Sequence, residues 1–191
     1  MKRIIWGTAI TAAAITIAAF RGIRVIDPSA ETAARVERGH YLVASIGCED
    51  CHTPKKMGRN GPEPDLSRML SGHPEGTKLP PPPAANGPWA ATATWDLTAW
   101  SGPWGVSYAM NITPDQNTGI GIWTEDMFLS ALKTGRHMGV SRPILPPMPW
   151  QAFRNLNDED LKAIYSYLRT VAPVHNRVPD PIFAPEAEAT N

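Results

Sequence analysis

Both cysteines of this 191-residue chain sit in one pentapeptide, Cys48-Glu49-Asp50-Cys51-His52. Cys-x-x-Cys-His is the pattern that attaches c-type haem. The spacing has a chemical reason. Two thiols one short turn apart can add to the two vinyl groups on one porphyrin edge, and the next side chain, His52, then lies under the ring where its imidazole can ligate iron. The motif predicts one covalent haem c, bound through Cys48 and Cys51, with His52 on the metal.

Other chemistry for the same residues has to be weighed. A thioredoxin-like dithiol wants a βαβ context, whereas the flanking sequence reads as helical and then proline-rich. A structural zinc site needs four ligands, and the remaining histidines (His40, His73, His137, His175) are scattered singly. A Cys48–Cys51 disulfide would close a very small loop and leave His52 unexplained.

A haem iron with His alone is open on its other side, whereas His/Met ligation closes it and raises its potential. Candidates for the second ligand are Met57, Met69, Met110, Met127, Met138 and Met148, or a histidine such as His137. Met57 and Met69 follow the motif too closely to cross the ring easily, and Met127 falls on a helical core stripe. Met148 stands apart because Pro146, Pro147 and Pro149 restrict the backbone around it, which suits a sulfur that must be held over iron. The competing reading is a methionine filling a gap in a loop core. Met110, Met138 and His137 stay open at this point.

The surrounding chain must supply a pocket and a route to the compartment where such haem is attached. The formal net charge is zero, which argues against nucleic acid as a partner. Twenty prolines and fifteen glycines indicate a loop-rich single domain. Lys2 and Arg3 precede an apolar run over residues 4–20, with Arg21 and Arg24 after it. This pattern predicts export. Residues 1–26 are expected to act as a retained membrane anchor, with a cleaved signal as the alternative, since Ala18-Ala19-Phe20 is a poor cleavage site. The domain would then lie on the periplasmic side of a bacterial inner membrane.

Residues 27–178 are expected to form that domain. Asp27-Pro28-Ser29 reads as a break, and a helix follows from about Glu31, with Val36, His40 and Val43 as its apolar stripe. Gly39 inside it should cost about 1 kcal/mol against Ala and makes sense where another helix crosses closely. His40 beside it reads as a packing or surface residue. Residues 55–109 carry little helical periodicity, two Gly-Pro-Trp tripeptides and the tryptophans Trp89, Trp95, Trp100 and Trp104. They predict an ordered flap against the haem face or a membrane surface, with a short strand at Thr92 to Leu97. Lys55, Lys56 and Arg59 read as a solvated run or a partner-steering patch. Asn111-Ile112-Thr113 matches a glycosylation acceptor, read here as coincidence. Thr124-Glu125-Asp126 starts a helix whose apolar face is Met127, Phe128, Ala131 and Leu132, and Gly135 ends it. Asn157 caps a final helix with Leu161, Ile164, Tyr165 and Leu168 on one face. Residues 179–191 are expected to be a disordered tail.

Taken together, these segments resemble class I cytochromes c. The resemblance lies in Arg38-Gly39-His40-Tyr41-Leu42 before Cys48-x-x-Cys51-His52, in Asn111-Ile112-Thr113-Pro114-Asp115 through Trp123, and in Met148-Pro149 followed by Asp158-Glu159-Asp160-Leu161 and Tyr165-x-Tyr167-Leu168-Arg169. The last two blocks are similar to single haem modules in the cytochrome subunits of membrane-bound bacterial dehydrogenases of the alcohol and gluconate type. The resemblance implies a mostly α fold, with first and last helices crossed near Gly39 and Tyr165 around one haem, and with the 55–109 stretch as a long inserted loop. It implies Cys48 and Cys51 as thioether sites and His52 and Met148 as axial ligands. The implied role is single-electron transfer between redox partner proteins, without catalysis by the chain itself. Those subunits usually carry three such modules, and this chain has one motif. Rival readings are a cytochrome subunit held permanently in a dehydrogenase or oxidase, a haem peroxidase or gas sensor with an open distal side, and a non-haem metal or thiol protein.

Overall fold

The computed structural model describes residues 28–83 and 91–184. The frame is a pair of crossed helices, α1 (Pro28–Ser45) and α5 (Asp158–Leu168). Helix α1 begins at Pro28 rather than near Glu31. A proline at the first helical position gives up an N–H that would have no partner there.

The crossing is tight because Gly39 has no side chain. A Cβ at Gly39 would stand 2.0 Å from the Ala163 carbonyl oxygen and 2.8 Å from Tyr167 Cβ. The expected close helix approach is therefore present, but on Ala163 and Tyr167 instead of Tyr165. Residues four apart share a helix face, and Tyr165 lies on another. Its ring packs against Phe128, and its hydroxyl donates to the Trp123 carbonyl at 2.7 Å. The apolar stripe of α1 is also displaced from the expected one. Gly39, Leu42 and Val43 are buried, while His40 is exposed with its ring against Tyr167.

Helix α3 (Glu125–Thr134) is capped as its sequence indicates. The Thr124 side chain accepts from the Met127 N–H, and left-handed Gly135 closes the end. Asn157 likewise caps α5 by accepting from the Asp160 N–H. Phe128, Ala131 and Leu132 of α3 join Leu42 and Val43 of α1 and Leu161, Ile164 and Leu168 of α5 in one core with Ile120 and Trp123. Burying each large aliphatic side chain contributes roughly 1.5–3 kcal/mol. Around this core, ion pairs join α1 to α3 (Arg35–Glu125), α1 to α5 (Arg38–Asp160, 2.8 Å) and α3 to α5 (Lys133–Asp158, 3.0 Å). At these partly exposed positions each is worth about 0–1 kcal/mol, so the core and not the ion pairs holds the helices.

The expectation of a mostly α fold with a looped insertion is corrected. The described residues hold five α-helices together with two antiparallel sheets. Short α2 (Cys48–His52) is followed by the hairpin β1 (Lys55–Gly58) and β2 (Gly61–Pro64). The second sheet has the order β3-β4-β5-β6, formed by Thr92–Ala93, Ala99–Gly102, Gly105–Tyr108 and Ile182–Phe183. These strands have two to four residues, too few for alternation to show in the sequence. Strand β6 lies in the expected disordered tail and pairs with β5, and residues 185–191 of that tail lie outside the described residues. Helix α4 (Trp150–Phe153) follows Met148-Pro149. No helix among the described residues is long and apolar enough to cross a membrane, and the expected anchor at residues 1–26 lies outside them, as does Trp89.

The helix crossing gives the first test. Gly39→Ala gains about 1 kcal/mol of helix propensity but drives a methyl into backbone that cannot swing aside. Overpacking of this kind costs about 1–3 kcal/mol or more. We expect a net loss, seen as a lower urea midpoint with an unchanged slope.

Candidate haem-binding site

Helix α2 is a single turn, and it sets the site. The Thr53 N–H donates to the Glu49 carbonyl at 3.0 Å, which closes the turn and stacks Cys48 beside Cys51. Both thiols are free and partly buried. Burial, with the neighbouring Glu49 carboxylate second, pushes the Cys48 thiol up to about 12. Burial also raises Cys51, against the pull of Lys55. A redox-active dithiol uses a thiol shifted downward, and both of these are shifted the other way. Among the described residues no three His, Cys, Asp or Glu side chains gather to hold a metal ion by themselves.

His52 is oriented from below. Its Nδ1 lies 2.7 Å from the Met110 carbonyl oxygen and must donate to it, because a carbonyl only accepts. That fixes the tautomer, with the proton on Nδ1 and the lone pair on Nε2. No described residue hydrogen-bonds Nε2. Burial lowers the imidazole's proton affinity, with the Met110 carbonyl opposing, so the ring is held neutral, the form that binds metal. A ligating histidine whose other nitrogen donates to a backbone carbonyl is the usual arrangement around metals. Two free thiols and a neutral imidazole with an unused nitrogen, all within one turn, fit a c-type haem.

Two chain segments hold Met110 in place. The Gly72 N–H donates to the His52 carbonyl at 2.7 Å, the His73 N–H to the Ala109 carbonyl at 2.8 Å, and the Ile112 N–H to the Leu70 carbonyl at 3.0 Å. Gly72 is left-handed (φ 78°), and a Cβ there would meet the Ala109 carbonyl oxygen at 2.3 Å, so this crossing requires glycine. The Thr53 hydroxyl accepts from the Leu70 N–H at 3.0 Å. Behind these segments lie two buried asparagines. The Asn111 side chain accepts from the Thr113 N–H and hydroxyl and donates to the Thr118 hydroxyl and the Val174 carbonyl. With 1% exposure and a fully used amide, Asn111 is a structural residue and not a glycan acceptor. Asn176 donates to the Ser71 and His73 carbonyls and accepts from Arg68 and the Glu75 N–H. Sequence reasoning missed Asn176 and the Met110 carbonyl. The first is a lone residue in the irregular stretch after α5, and the second is a backbone atom that no side-chain pattern marks.

The expected second ligands fall in different places. Met110 contributes the carbonyl on the Nδ1 side of His52, the side away from Nε2. Met57 is 70% exposed in β1. Met69 precedes Leu70, which is tied to Thr53. Met127 packs on α3 as expected, and Met138 occupies a short 3-10 turn, His137–Gly139. His137 packs edge-on to Trp123 with centroids 5.1 Å apart. Met148 is partly buried against the same core cluster as Cys48, between exposed Pro147 and Pro149. Its loop is pinned by the Ile144 N–H to the Gly135 carbonyl (2.8 Å) and by the Trp150 N–H to the Met148 carbonyl (2.9 Å). Lys55, read as solvated or steering, instead donates to the Asp50 and Asp96 carbonyls at 2.6 and 2.9 Å and ties α2 to the insertion.

No protein-family model matches the chain. Among curated proteins it is 31% identical over 148 residues to a nicotinate dehydrogenase component of Pseudomonas putida, covering 78% of the chain and 10% of that protein. It is 32% identical over 151 residues to the fructose dehydrogenase cytochrome subunit of Gluconobacter japonicus, covering 78% and 24%. It is 34% identical over 145 residues to the gluconate 2-dehydrogenase cytochrome c subunit of Pantoea cypripedii, covering 74% and 24%. The chain thus spans a quarter or less of the length of these relatives.

His73 supplies a test of the proximal frame. The Thr98 hydroxyl donates to Asp96 at 2.9 Å, so it accepts from His73 Nδ1 at 2.8 Å. Burial lowers the His73 proton affinity, against the attraction of Asp96. His73 is therefore neutral in the fold and takes up a proton on unfolding below its ordinary value of about 6.5. The unfolded state then binds more protons, so stability should fall as pH drops through and below that value. Urea midpoints between pH 7.5 and 5 should decline in the parent chain and decline less in His73→Gln.

Over most of its length, the chain is homologous to the cytochrome c subunits of bacterial dehydrogenases.

Proposed function

We propose that the chain is a single-electron carrier with one haem c, covalently held by Cys48 and Cys51 and ligated by His52 and Met148. The observation that carries this reading is the His52 imidazole, locked by the Met110 carbonyl into the tautomer that leaves Nε2 free beside two free thiols. The haem, when bound, supplies the redox chemistry by cycling iron between two oxidation states.

The chain's own residues do the rest. Cys48 and Cys51 would hold the group as thioethers, since each free S–H can add across one vinyl group, sulfur to one carbon and hydrogen to the other, with no oxidant required. His52, kept in orientation through the Met110 carbonyl, and Met148 would be the residues that hold the iron. The apolar core between the helices, on which Cys48 and Met148 pack, would keep water from that side of the group and so limit reorganisation around a changing charge. The homology to cytochrome subunits supports electron transfer rather than catalysis by this chain. The basic-flanked apolar run at residues 4–20 supports a periplasmic location with membrane attachment.

A second reading has its own support. The relatives are subunits of dehydrogenases, so this module could work as a fixed relay within a larger dehydrogenase complex that hands electrons to a separate acceptor protein. Purification in mild detergent at high salt separates the two: a single species indicates a free carrier, and a constant stoichiometric companion indicates a fixed component of a complex.

The ligand assignment is tested by Met148→Ala. We expect loss of the sulfur-to-iron charge-transfer band, a lower potential and new carbon monoxide binding in the reduced state. An unchanged band would remove Met148 from the iron, and a parent protein that already binds carbon monoxide would favour the open-site reading.

A further inference from the structure

The inserted sheet reaches the Met148 loop through a side-chain hydrogen bond. Ser107 on β5 is 8% exposed, and its hydroxyl donates to the Pro146 carbonyl at 2.5 Å. Trp104 Nε1 lies 3.3 Å from the same hydroxyl oxygen. An indole N–H only donates, so Ser107 accepts from Trp104, and its single proton is committed to Pro146. Donors aligned in this way polarise one another and strengthen the terminal bond.

The loop has reason to need an outside donor. Pro143, Pro146, Pro147 and Pro149 have no N–H, so the segment has few donors for turn hydrogen bonds of its own. The Ile144 N–H goes to Gly135 at one end, and the Trp150 N–H closes on Met148 at the other. Between them, Ser107 supplies the hydrogen bond from the insertion, two residues before Met148. The hairpin that carries Ser107 is itself held, with β5 paired to β4 and β6 and the Ala184 N–H donating to the Trp104 carbonyl at 3.0 Å.

We infer that Ser107 is a positioning residue for the distal ligand, and that the inserted sheet serves to hold the Met148 loop closed. This rests on the ligand reading above. A neutral hydrogen bond of this type shifts an equilibrium by about two- to tenfold. The holo chain should therefore open its loop more readily when the hydroxyl is lost.

The test is the pH at which the sulfur-to-iron band is half lost as the pH is raised above neutral, in the parent protein, Ser107→Ala, Ser107→Thr and Met148→Ala, with urea midpoints measured in parallel. In Ser107→Ala we expect a midpoint lower by about 0.3–1 pH unit, the pH equivalent of a two- to tenfold shift. Ser107→Thr should restore most of it. An unshifted Ser107→Ala midpoint, with Met148→Ala abolishing the band, overturns the inference and leaves the ligand assignment standing. A shift that Ser107→Thr fails to rescue, and that follows the loss of global stability, assigns Ser107 to the sheet alone and also overturns it. A band that survives Met148→Ala removes the ligand assignment, and the inference with it.

Discussion

The hydrogen bond from His52 Nδ1 to the Met110 carbonyl decides which way the site faces. A histidine in a Cys-x-x-Cys-His turn could point either nitrogen outward. The carbonyl takes one of them, fixes the tautomer and leaves the other to a metal. Much of the chain around it can be understood as keeping that carbonyl still. Leu70 and His73 cross the Ala109 to Ile112 segment through backbone hydrogen bonds, and Gly72 between them ties that crossing to the His52 carbonyl. Asn111 and Asn176 bind both segments to the stretch after α5. A displacement of Met110 would therefore have to break a buried polar network in which nearly every donor is committed, which is costly because unpaired buried groups cost more than a formed bond returns.

The helices hold the other half of the architecture. The α1–α5 crossing at Gly39 brings the backbones close enough for Leu42 and Val43 to meet Leu161, Ile164 and Leu168, and α2 leaves this frame directly. The thiols and the imidazole are thus mounted on the end of the best-packed element and not on a free loop. The Met148 side is built differently. It has no regular structure of its own, and it borrows rigidity from prolines, from Gly135 and from β5. The two sides of the site differ in how they are held, and the inserted sheet bears on the weaker one.

What could be read in the sequence follows from how local each signal is. Thr124, Gly135 and Asn157 mark helix ends because capping involves residues three or four apart. Gly39 announced a close approach, although the partner positions, Ala163 and Tyr167, required the crossing geometry itself. Of the sheets only β3 was legible, as the first two residues of the short strand expected at Thr92 to Leu97. Strands of two to four residues show no period, and β5 pairs with a β6 that lies far away in sequence, inside what composition alone marks as a tail. The proline-, glycine- and tryptophan-rich composition suggested loops because those residues punctuate turns. Here the turns separate very short strands. The Met110 carbonyl was illegible for another reason: any residue type can present a carbonyl, so only the fold can reveal which one lies under His52.

The central claim is that Cys48 and Cys51 hold a single haem covalently above a pre-oriented His52. The most direct measurement is a pyridine haemochrome spectrum with protein quantitation, taken on the full chain after acid–acetone extraction. The account predicts one haem per chain that remains with the protein, with the spectrum of a haem whose two vinyl groups have both become thioethers. Haem that extracts into the solvent, or a stoichiometry other than one, would contradict it.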